Sequence, residues 1–312
     1  MLKHIAGENR DPKVFWHAPS KRWIMALYLD GNNYAIFSSP DLKTWSKLCE
    51  VPMRGTSECP DFFALPVDGD IVNMKWVFWG ANNRYRLGDF DGKTFRAETE
   101  PLSTHFGANR YAAQTYSDIP TADGRRIQIA WMAGGKYPDM PFNQQMSIPA
   151  ELTLRKFPEG VRLCTLPVRE VDQLREDEKF SYAGELKPGD NPLKHLRGDL
   201  WDIALKVEPG SAEAITLNIR GAPINFNVKT RKLSCLGSSA NIELIDGCLA
   251  LRVLVDRSSI EVFTADGRVN MAFCFLPPKD NQTLEFTCSG GNARIKSLDV
   301  WHMASVWRKA KQ

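Results

Sequence analysis

Ser57-Glu58-Cys59-Pro60-Asp61-Phe62-Phe63 places a carboxylic acid just before an apolar segment with the composition of a β-strand. A second stretch of the same kind, Arg10-Asp11-Pro12, precedes the apolar segment Val14-Phe15-Trp16. A proline follows each acid within two residues and fixes the backbone there, which suits an oriented side chain and suits an ordinary turn equally well. Taken alone, each acid is better explained as a loop carboxylate, so its role depends on what the chain builds around it.

The segments around both acids predict short β-strands and no convincing helix. Turn residues divide the first half into three sets of four predicted strands. The three sets cover residues 13–17, 23–28, 34–38 and 45–49; then 61–65, 75–79, 84–89 and 94–96; then 110–117, 126–131, 145–148 and 151–156.

The sets recur at a regular spacing. Asp11 and Glu58 are 47 residues apart, and Tyr111 follows Glu58 by 53 residues. A four-stranded unit repeated at about 40–50 residues is typical of the blades of a β-propeller. Equivalent loops of successive blades meet at one end of the propeller axis, so we expect Asp11 and Glu58 to face the same central funnel.

Three blades are fewer than a propeller normally has. Propellers usually contain about four to eight blades, because a closed ring leaves only short, protected sheet edges. An open arc exposes long edges that favour aggregation. We therefore expect either blades outside this sequence or a homo-oligomer or complementing chain that covers the open edges.

The second half has a different pattern. Residues 171–179 are charged and predict a linker or a short helix. Cleaner apolar–polar alternation without helices follows, which predicts a two-sheet β-sandwich with no obvious catalytic cluster. The chain is thus predicted to be all-β, with a partial propeller over residues 1–165 and a sandwich over 166–312. The predicted sandwich strands are 200–207, 214–220, 224–227, 232–236, 249–256, 259–264, 269–275, 282–288 and 293–302.

Composition excludes several classes of protein. Forty basic and 37 acidic residues give a net charge of only +3, so neither nucleic acid nor an anionic membrane is an expected partner. The five histidines and seven cysteines show no metal-ligand spacing, and no cofactor is expected. The first ten residues are too polar for a signal peptide, which predicts a cytoplasmic protein, or a secreted or periplasmic one if the true N-terminus lies upstream.

Paired carboxylates indicate a possible chemistry. Hydrolysis of a glycosidic bond with retention needs two carboxyl groups about 5–5.5 Å apart, one as nucleophile and one as acid and then base. Glu58 is the candidate acid, because an apolar strand and a funnel mouth would raise its pKa and keep it protonated. Aromatic residues that could stack on sugars are plentiful nearby, although most lie inside predicted strands and are expected in the core. They are Trp16, Trp45, Trp79, Tyr111 and Trp131.

Six segments in the same order resemble glycoside hydrolase family 32, which contains invertases, levanases, inulinases and fructan β-fructosidases. The resemblance covers almost the whole chain and implies a five-bladed-type propeller followed by a β-sandwich. The segments are Arg10-Asp11-Pro12, Glu58-Cys59-Pro60-Asp61, Tyr111-Ala112-Ala113-Gln114-Thr115, Trp131-Met132, Met146-Ser147-Ile148-Pro149 and Val255-Asp256-Arg257-Ser258-Ser259-Ile260-Glu261-Val262-Phe263.

The resemblance also implies roles for single residues. Glu58 would be the general acid/base and Asp11 the transition-state stabiliser. Arg10 would bind the sugar, with Tyr111 and Trp131 near the substrate. The implied substrates are sucrose, fructo-oligosaccharides and fructans.

The sequence departs from the family pattern at the nucleophile. The family's Trp-Met-Asn-Asp-Pro-Asn-Gly motif, which carries the nucleophilic Asp, does not occur among these 312 residues. The resemblance therefore implies an N-terminally truncated member that starts at the third blade. Thr56-Ser57 and Gly134-Gly135 also replace residues that shape the family's sugar pocket. Three hypotheses stay open: a β-fructofuranosidase-type enzyme that lacks its nucleophile-bearing blade, an inactive fructan- or sugar-binding protein, and a fragment that is stable only as a dimer.

Overall fold

Twenty-four β-strands and one 3₁₀ helix form the regular structure of residues 2–307, the part of the chain that the computed structural model describes. These residues divide into two units. The first comprises residues 2–104, 110–131 and 146–164, and the second comprises 105–109, 132–145 and 165–307. Within the described range, no helix is long and apolar enough to cross a membrane.

The strands of the first unit form a four-stranded and a nine-stranded sheet. The nine-stranded sheet consists of two antiparallel groups of consecutive strands joined by a single parallel bridge, Leu154 to Val67, so the unit has three antiparallel groups, as expected for three propeller blades. The strands of the first blade are β1 (Arg10–His17), β2 (Arg22–Asp30), β3 (Asn33–Ser39) and β4 (Ser46–Pro52). The second has β5 (Asp61–Val67), β6 (Asp70–Gly80), β7 (Arg84–Phe90), β8 (Phe95–Ala97) and the short β9 (Leu102–Ser103). The third has β10 (Tyr111–Thr115), β11 (Arg126–Trp131), β12 (Ala150–Phe157) and β13 (Gly160–Pro167).

The third blade differs from its prediction. Residues 145–148, predicted as a strand, form only an isolated bridge between Met146 and Trp131. Pro149 has no N–H to donate to a ladder, and regular pairing with β11 starts only at Ala150. The fourth strand of the blade is instead β13, which the sequence analysis did not predict.

An aromatic cluster fills the space between the first two blades. Phe62 lies at its centre with 2% of its surface exposed. Its ring centroid lies 4.6–6.0 Å from five other aromatic rings. Those rings belong to Phe15, Trp76, Phe78, Phe90 and Phe95. The apolar residues after Glu58 thus anchor β5 in the core, as their sequence predicts.

The second unit contains two antiparallel sheets whose inner faces share one apolar core, which is a β-sandwich. The six-stranded sheet has the order β14-β24-β15-β20-β21-β22, and the five-stranded sheet has the order β19-β18-β17-β16-β23. The strands are β14 (Arg175–Leu186), β15 (Trp201–Glu208), β16 (Ala214–Ile219), β17 (Ala222–Asn227), β18 (Lys232–Cys235), β19 (Ser238–Asn241), β20 (Leu249–Asp256), β21 (Ser259–Thr264), β22 (Asn270–Cys274), β23 (Leu284–Ser289) and β24 (Ala293–Met303).

All nine predicted sandwich strands are present, with ends shifted by up to two residues. Two further strands, β14 and β19, escaped prediction. The charged segment predicted as a linker or short helix consists of a 3₁₀ helix, Arg169–Leu174, and the start of β14. Most side chains of β14 are exposed, so its sequence lacks the apolar alternation that identifies a half-buried strand.

Phe62→Ala is expected to lower the free energy of unfolding by about 3–5 kcal/mol, because it removes a fully buried ring and leaves a cavity among aromatic neighbours. Urea denaturation measures the change. Val72→Ala, at a position 90% exposed on β6, is the control and is expected to change the free energy by less than about 0.5 kcal/mol. Equal effects of the two substitutions would contradict the assignment of Phe62 to the core.

Candidate active site

The starts of three strands, one from each blade, supply the predicted site residues of the first unit. Arg10 opens β1, Glu58 lies three residues before β5, and Tyr111 opens β10. Each of these starts carries a non-glycine residue with left-handed backbone, a conformation that costs about 1–3 kcal/mol per residue. The φ values are 60° at Asp11, 57° at Glu58, 40° at Cys59 and 51° at Ala112.

Pairing irregularities accompany this backbone in two of the strands. The register of β1 shifts between Arg10 and Lys13, and that of β10 shifts between Tyr111 and Gln114. A bulge of this kind bends the strand and redirects a side chain, and bulges are frequent beside active sites. The local structure at all three strand starts therefore favours oriented side chains over regular pairing.

The carboxylate of Glu58 is held from two blades. Arg10 donates two hydrogen bonds to its Oε1, from Nη2 at 2.7 Å and from Nε at 3.1 Å. The hydroxyl of Tyr111 donates to the other oxygen, Oε2. Arg10 also pairs with Glu8 at 2.8 Å, and its guanidinium lies 5.0 Å from the ring centre of Tyr28.

These donors set the ionisation of Glu58. The Tyr111 hydroxyl, followed by the Arg10 guanidinium, lowers the pKa of Glu58 below its ordinary value of about 4.5. The expectation that an apolar surrounding raises this pKa is therefore wrong for the described residues. The side chain is still 28% exposed, so loss of hydration is a smaller effect than two donors aimed at the charged form. Burial and the hydrogen bond to Glu58 raise the pKa of Tyr111 to about 12, so its hydroxyl keeps its proton.

Asp11 contacts the same segment from the other side. Its Oδ2 accepts a hydrogen bond from the backbone N–H of Cys59 at 3.0 Å and lies 3.6 Å from the Cys59 thiol. Burial, and then the nearby Asp11 charge, raises the pKa of Cys59 to about 12. The thiol is consequently neutral near pH 7 and is not an activated nucleophile.

Trp131 lies next to Tyr111 on the paired strand β11. The two rings meet edge to face with centroids 6.2 Å apart, and 37% of the Trp131 surface is exposed. Met146, bridged to Trp131, is 53% exposed. The structure therefore brings all five predicted site residues into one neighbourhood, with an open apolar surface beside the polar centre.

Two residues that shape the site, Gln114 and Tyr34, had no role assigned from the sequence. The amide of Gln114 donates to the carbonyl oxygens of Cys59 and Pro60, both at 3.1 Å. The hydroxyl of Tyr34 donates to the carbonyl of Glu58 at 3.0 Å. Gln114 belongs to the Tyr-Ala-Ala-Gln segment that resembles the family, so the sequence already marked this residue as a candidate. Tyr34, in contrast, has only the pattern of an ordinary aromatic residue in a strand.

A cavity of about 560 Å³ lies elsewhere in the first unit and does not include Glu58. Trp16, Trp76 and Arg126 are among its lining residues, together with the fully buried Asp61. Asp61 accepts hydrogen bonds from the backbone N–H groups of Phe62 and Thr115, so its carboxylate serves the fold. Within residues 2–307, no group of three or more His, Cys, Asp or Glu side chains is arranged to hold a metal ion.

Two protein-family models match this chain. Residues 3–167 match the model of the glycosyl hydrolases family 32 N-terminal domain, and residues 170–302 match that of the family 32 C-terminal region. The chain belongs to glycoside hydrolase family 32, which confirms the resemblance predicted from its motifs.

Individual relatives agree with this assignment. The chain is 34% identical to a levanase of Bacillus subtilis (strain 168), a match that covers 96% of this chain and 51% of that protein. It is 32% identical to an invertase of Wickerhamomyces anomalus over 85% of this chain and 55% of that protein. The chain thus spans about half the length of these two relatives.

Solved structures support the fold. An exo-inulinase from Aspergillus awamori superimposes with a TM-score of 0.85 at 22% identity, covering 96% of this chain and 68% of that one. Fructan 1-exohydrolase IIa from Cichorium intybus gives a TM-score of 0.79 at 18% identity, with coverage of 95% and 72%. The all-β fold class, a partial propeller with a β-sandwich, is confirmed.

Glu58→Gln is expected to reduce stability in a pH-dependent way. Because the folded-state pKa of Glu58 is lowered, its charge stabilises the fold above about pH 4.5, and this contribution is lost as the pH falls through the folded-state value. Urea denaturation from pH 3 to 7 should show wild type as the more stable protein at the upper end, with the difference shrinking towards acid pH. Glu100→Gln, at an exposed position of the same unit, controls for loss of a surface carboxylate. A difference that grows towards acid pH would contradict the sign of the shift.

Proposed function

We propose that this chain provides the acid/base half of a retaining β-fructofuranosidase site that acts on the terminal fructose of sucrose or fructans. The observation that carries the proposal is the Glu58 carboxylate, fixed on a left-handed bend between Arg10 and Tyr111. A loop glutamate without such a role needs neither a strained backbone nor donors from two other strands. The levanase and invertase names of the relatives support fructose-containing sugars as the substrate class.

The lowered pKa of Glu58 fits one half of the catalytic cycle directly. In the second step the residue acts as a base and takes a proton from water, for which the ionised form is required. In the first step it must donate a proton to the leaving oxygen. A bound sugar that excludes water, together with a second carboxylate about 5–5.5 Å away, would raise the pKa for that step.

The nucleophile is the missing component of this scheme. Covalent catalysis requires a group that traps the oxocarbenium-like centre, and protonation of the leaving group alone does not supply one. We place the nucleophilic Asp outside these 312 residues, either on a further segment of the same protein or on a complementing chain at the open blade edges. Asp11 already receives the Cys59 N–H and is assigned to holding fructose hydroxyls instead.

The remaining residues receive supporting roles. Arg10 holds the Glu58 carboxylate and lies within reach of a sugar hydroxyl, since its side chain is 37% exposed. Trp131 offers an exposed aromatic face, and sugar rings bury their apolar faces on such surfaces. Tyr111 connects the two, because its hydroxyl contacts Glu58 and its ring contacts Trp131.

A second candidate function is sugar binding without cleavage. The low pKa of Glu58 favours this alternative, because an ionised carboxylate accepts hydrogen bonds from sugar hydroxyls but does not protonate a leaving group. Both functions use the same residues, so turnover and binding must be measured separately.

When the nucleophile is supplied by the further segment or the complementing chain, Glu58→Gln is expected to lower the rate of fructose release from sucrose, inulin and levan by about 10²–10⁴-fold, since an amide replaces the group that transfers the proton. Free fructose is the measured product. Glu100→Gln serves as the matched control and is expected to retain the wild-type rate. Full turnover by Glu58→Gln would contradict the acid/base assignment.

The purified chain by itself is expected to bind a fructo-oligosaccharide in calorimetry and to release no fructose, because neither function has a nucleophile among these residues. Addition of the segment or chain that carries the nucleophile separates them: fructose release then supports the first function, and binding without release supports the second. Glu58-dependent turnover by the chain alone would mean that the nucleophile lies among these residues. Absence of both binding and turnover would contradict both functions.

A further inference from the structure

The backbone of Glu58 is the unusual feature of the site. Glu58 and Cys59 have consecutive left-handed φ values of 57° and 40°, and neither is a glycine. L-residues avoid this region, so such a pair persists only when the surrounding structure holds it in place. The groups that hold the Glu58 peptide therefore decide where its carboxylate points.

Two donors hold the carbonyl oxygen of Glu58. One is the backbone N–H of Ala81 at 3.1 Å, and the other is the hydroxyl of Tyr34 at 3.0 Å. Tyr34 lies in β3 of the first blade and is completely buried. Burial raises the pKa of Tyr34 well above its ordinary value, so the hydroxyl keeps its proton near neutral pH and can donate.

The space around this hydroxyl is closely fitted. A Cβ added at Gly80 would lie 2.7 Å from the Tyr34 oxygen and 2.5 Å from Oγ1 of Thr56. A side chain at this position would therefore crowd the hydroxyl that donates to the Glu58 carbonyl. The ring of Tyr34 packs edge-on against Phe78 and Tyr28, each 5.4 Å away between centroids.

Tyr28, which packs against Tyr34, supports the carboxylate end of Glu58 through Arg10. Tyr28 lies under the guanidinium of Arg10, and that guanidinium binds Oε1 of Glu58. Tyr34 thus fixes the peptide from which the side chain departs, and its neighbour Tyr28 supports the cation at which the side chain ends. The paired strands β2 and β3 of the first blade therefore contact both the peptide that carries the side chain and the cation that binds the carboxylate.

We propose that Tyr34 is a positioning residue for Glu58: its hydroxyl locks the left-handed peptide that aims the carboxylate at Arg10 and Tyr111. Any contribution of Tyr34 to catalysis rests on the proposed function. Its contribution to the orientation of the Glu58 side chain does not. Loss of the hydroxyl leaves the carbonyl bonded to Ala81, so the fold is kept while the bend relaxes.

The test compares Tyr34→Phe with Tyr85→Phe. Tyr85 is also completely buried in the first unit, and its hydroxyl also bonds to backbone, accepting from the Leu163 N–H at 3.0 Å. The readout is the pKa of the Glu58 carboxyl, followed by nuclear magnetic resonance with ¹³C-labelled glutamate and assigned by comparison with Glu58→Gln. The charged and titratable groups around Glu58 include Arg10, Asp11, Tyr28, Cys59 and Tyr111, with Glu8 beside Arg10, and all are kept in both variants.

In Tyr34→Phe, the pKa of Glu58 is expected to rise towards its ordinary value of about 4.5, because the carboxylate leaves its donors. In Tyr85→Phe it is expected to stay at the wild-type value. Gly80→Ala, whose added Cβ would crowd both the Tyr34 hydroxyl and Thr56, is expected to reproduce the rise.

Each outcome decides the inference. A folded Tyr34→Phe variant with an unchanged Glu58 pKa would overturn it. Equal shifts in Tyr34→Phe and Tyr85→Phe, or loss of the folded spectrum in both Tyr34→Phe and Gly80→Ala, would assign the hydroxyl to general stability and would also overturn it. None of these readouts depends on fructose release, so failure of the proposed function is recorded separately by the turnover of Glu58→Gln.

Discussion

The ion pair between Arg10 and Glu58 is the interaction on which the site depends. It joins residues that are 48 positions apart in the sequence and that come from the starts of two different blades. The pair brings the Glu58 carboxylate to one place, and Tyr111 completes its surroundings from the third blade. Removal of the first or the third blade would leave the carboxylate without one of these contacts.

The strained strand starts explain how a sheet protein presents such a group. Regular strands direct side chains alternately to the two faces of a sheet, and neither direction aims a carboxylate along the strand axis. Left-handed residues at Asp11, Glu58, Cys59 and Ala112 redirect the chain where β1, β5 and β10 begin. Apolar anchors such as Phe62 follow immediately, and their burial stabilises the conformation that the bend disfavours.

Sequence patterns predicted much of this arrangement. Alternating apolar runs and turn residues predicted the three blades and the sandwich, because half-buried strands carry that alternation in their composition. Strand β14 was missed because its exposed charged side chains hide the pattern, and β13 was missed because the segment around Pro149 took its place in the prediction.

The candidate site was predicted as a set of residues, but its electrostatics were not. The sequence does not show that Arg10 and Tyr111 both reach Glu58, so the pKa shift was predicted with the wrong sign. Tyr34 carries no signal in the sequence at all, since its role depends on a contact to a carbonyl 24 residues away. Long-range contacts to backbone groups depend on the assembled blades and leave no local pattern.

The proposed role of Glu58 requires a carboxylate that is ionised in the free protein and gains a proton when a sugar excludes water. The most direct test is a titration of the Glu58 carboxyl by nuclear magnetic resonance, with and without a saturating fructo-oligosaccharide. A pKa below the ordinary value of about 4.5 is expected in the free protein, and a higher pKa is expected in the complex. A pKa at or above the ordinary value in the free protein, or one that does not change when the sugar binds, would contradict the proposed role.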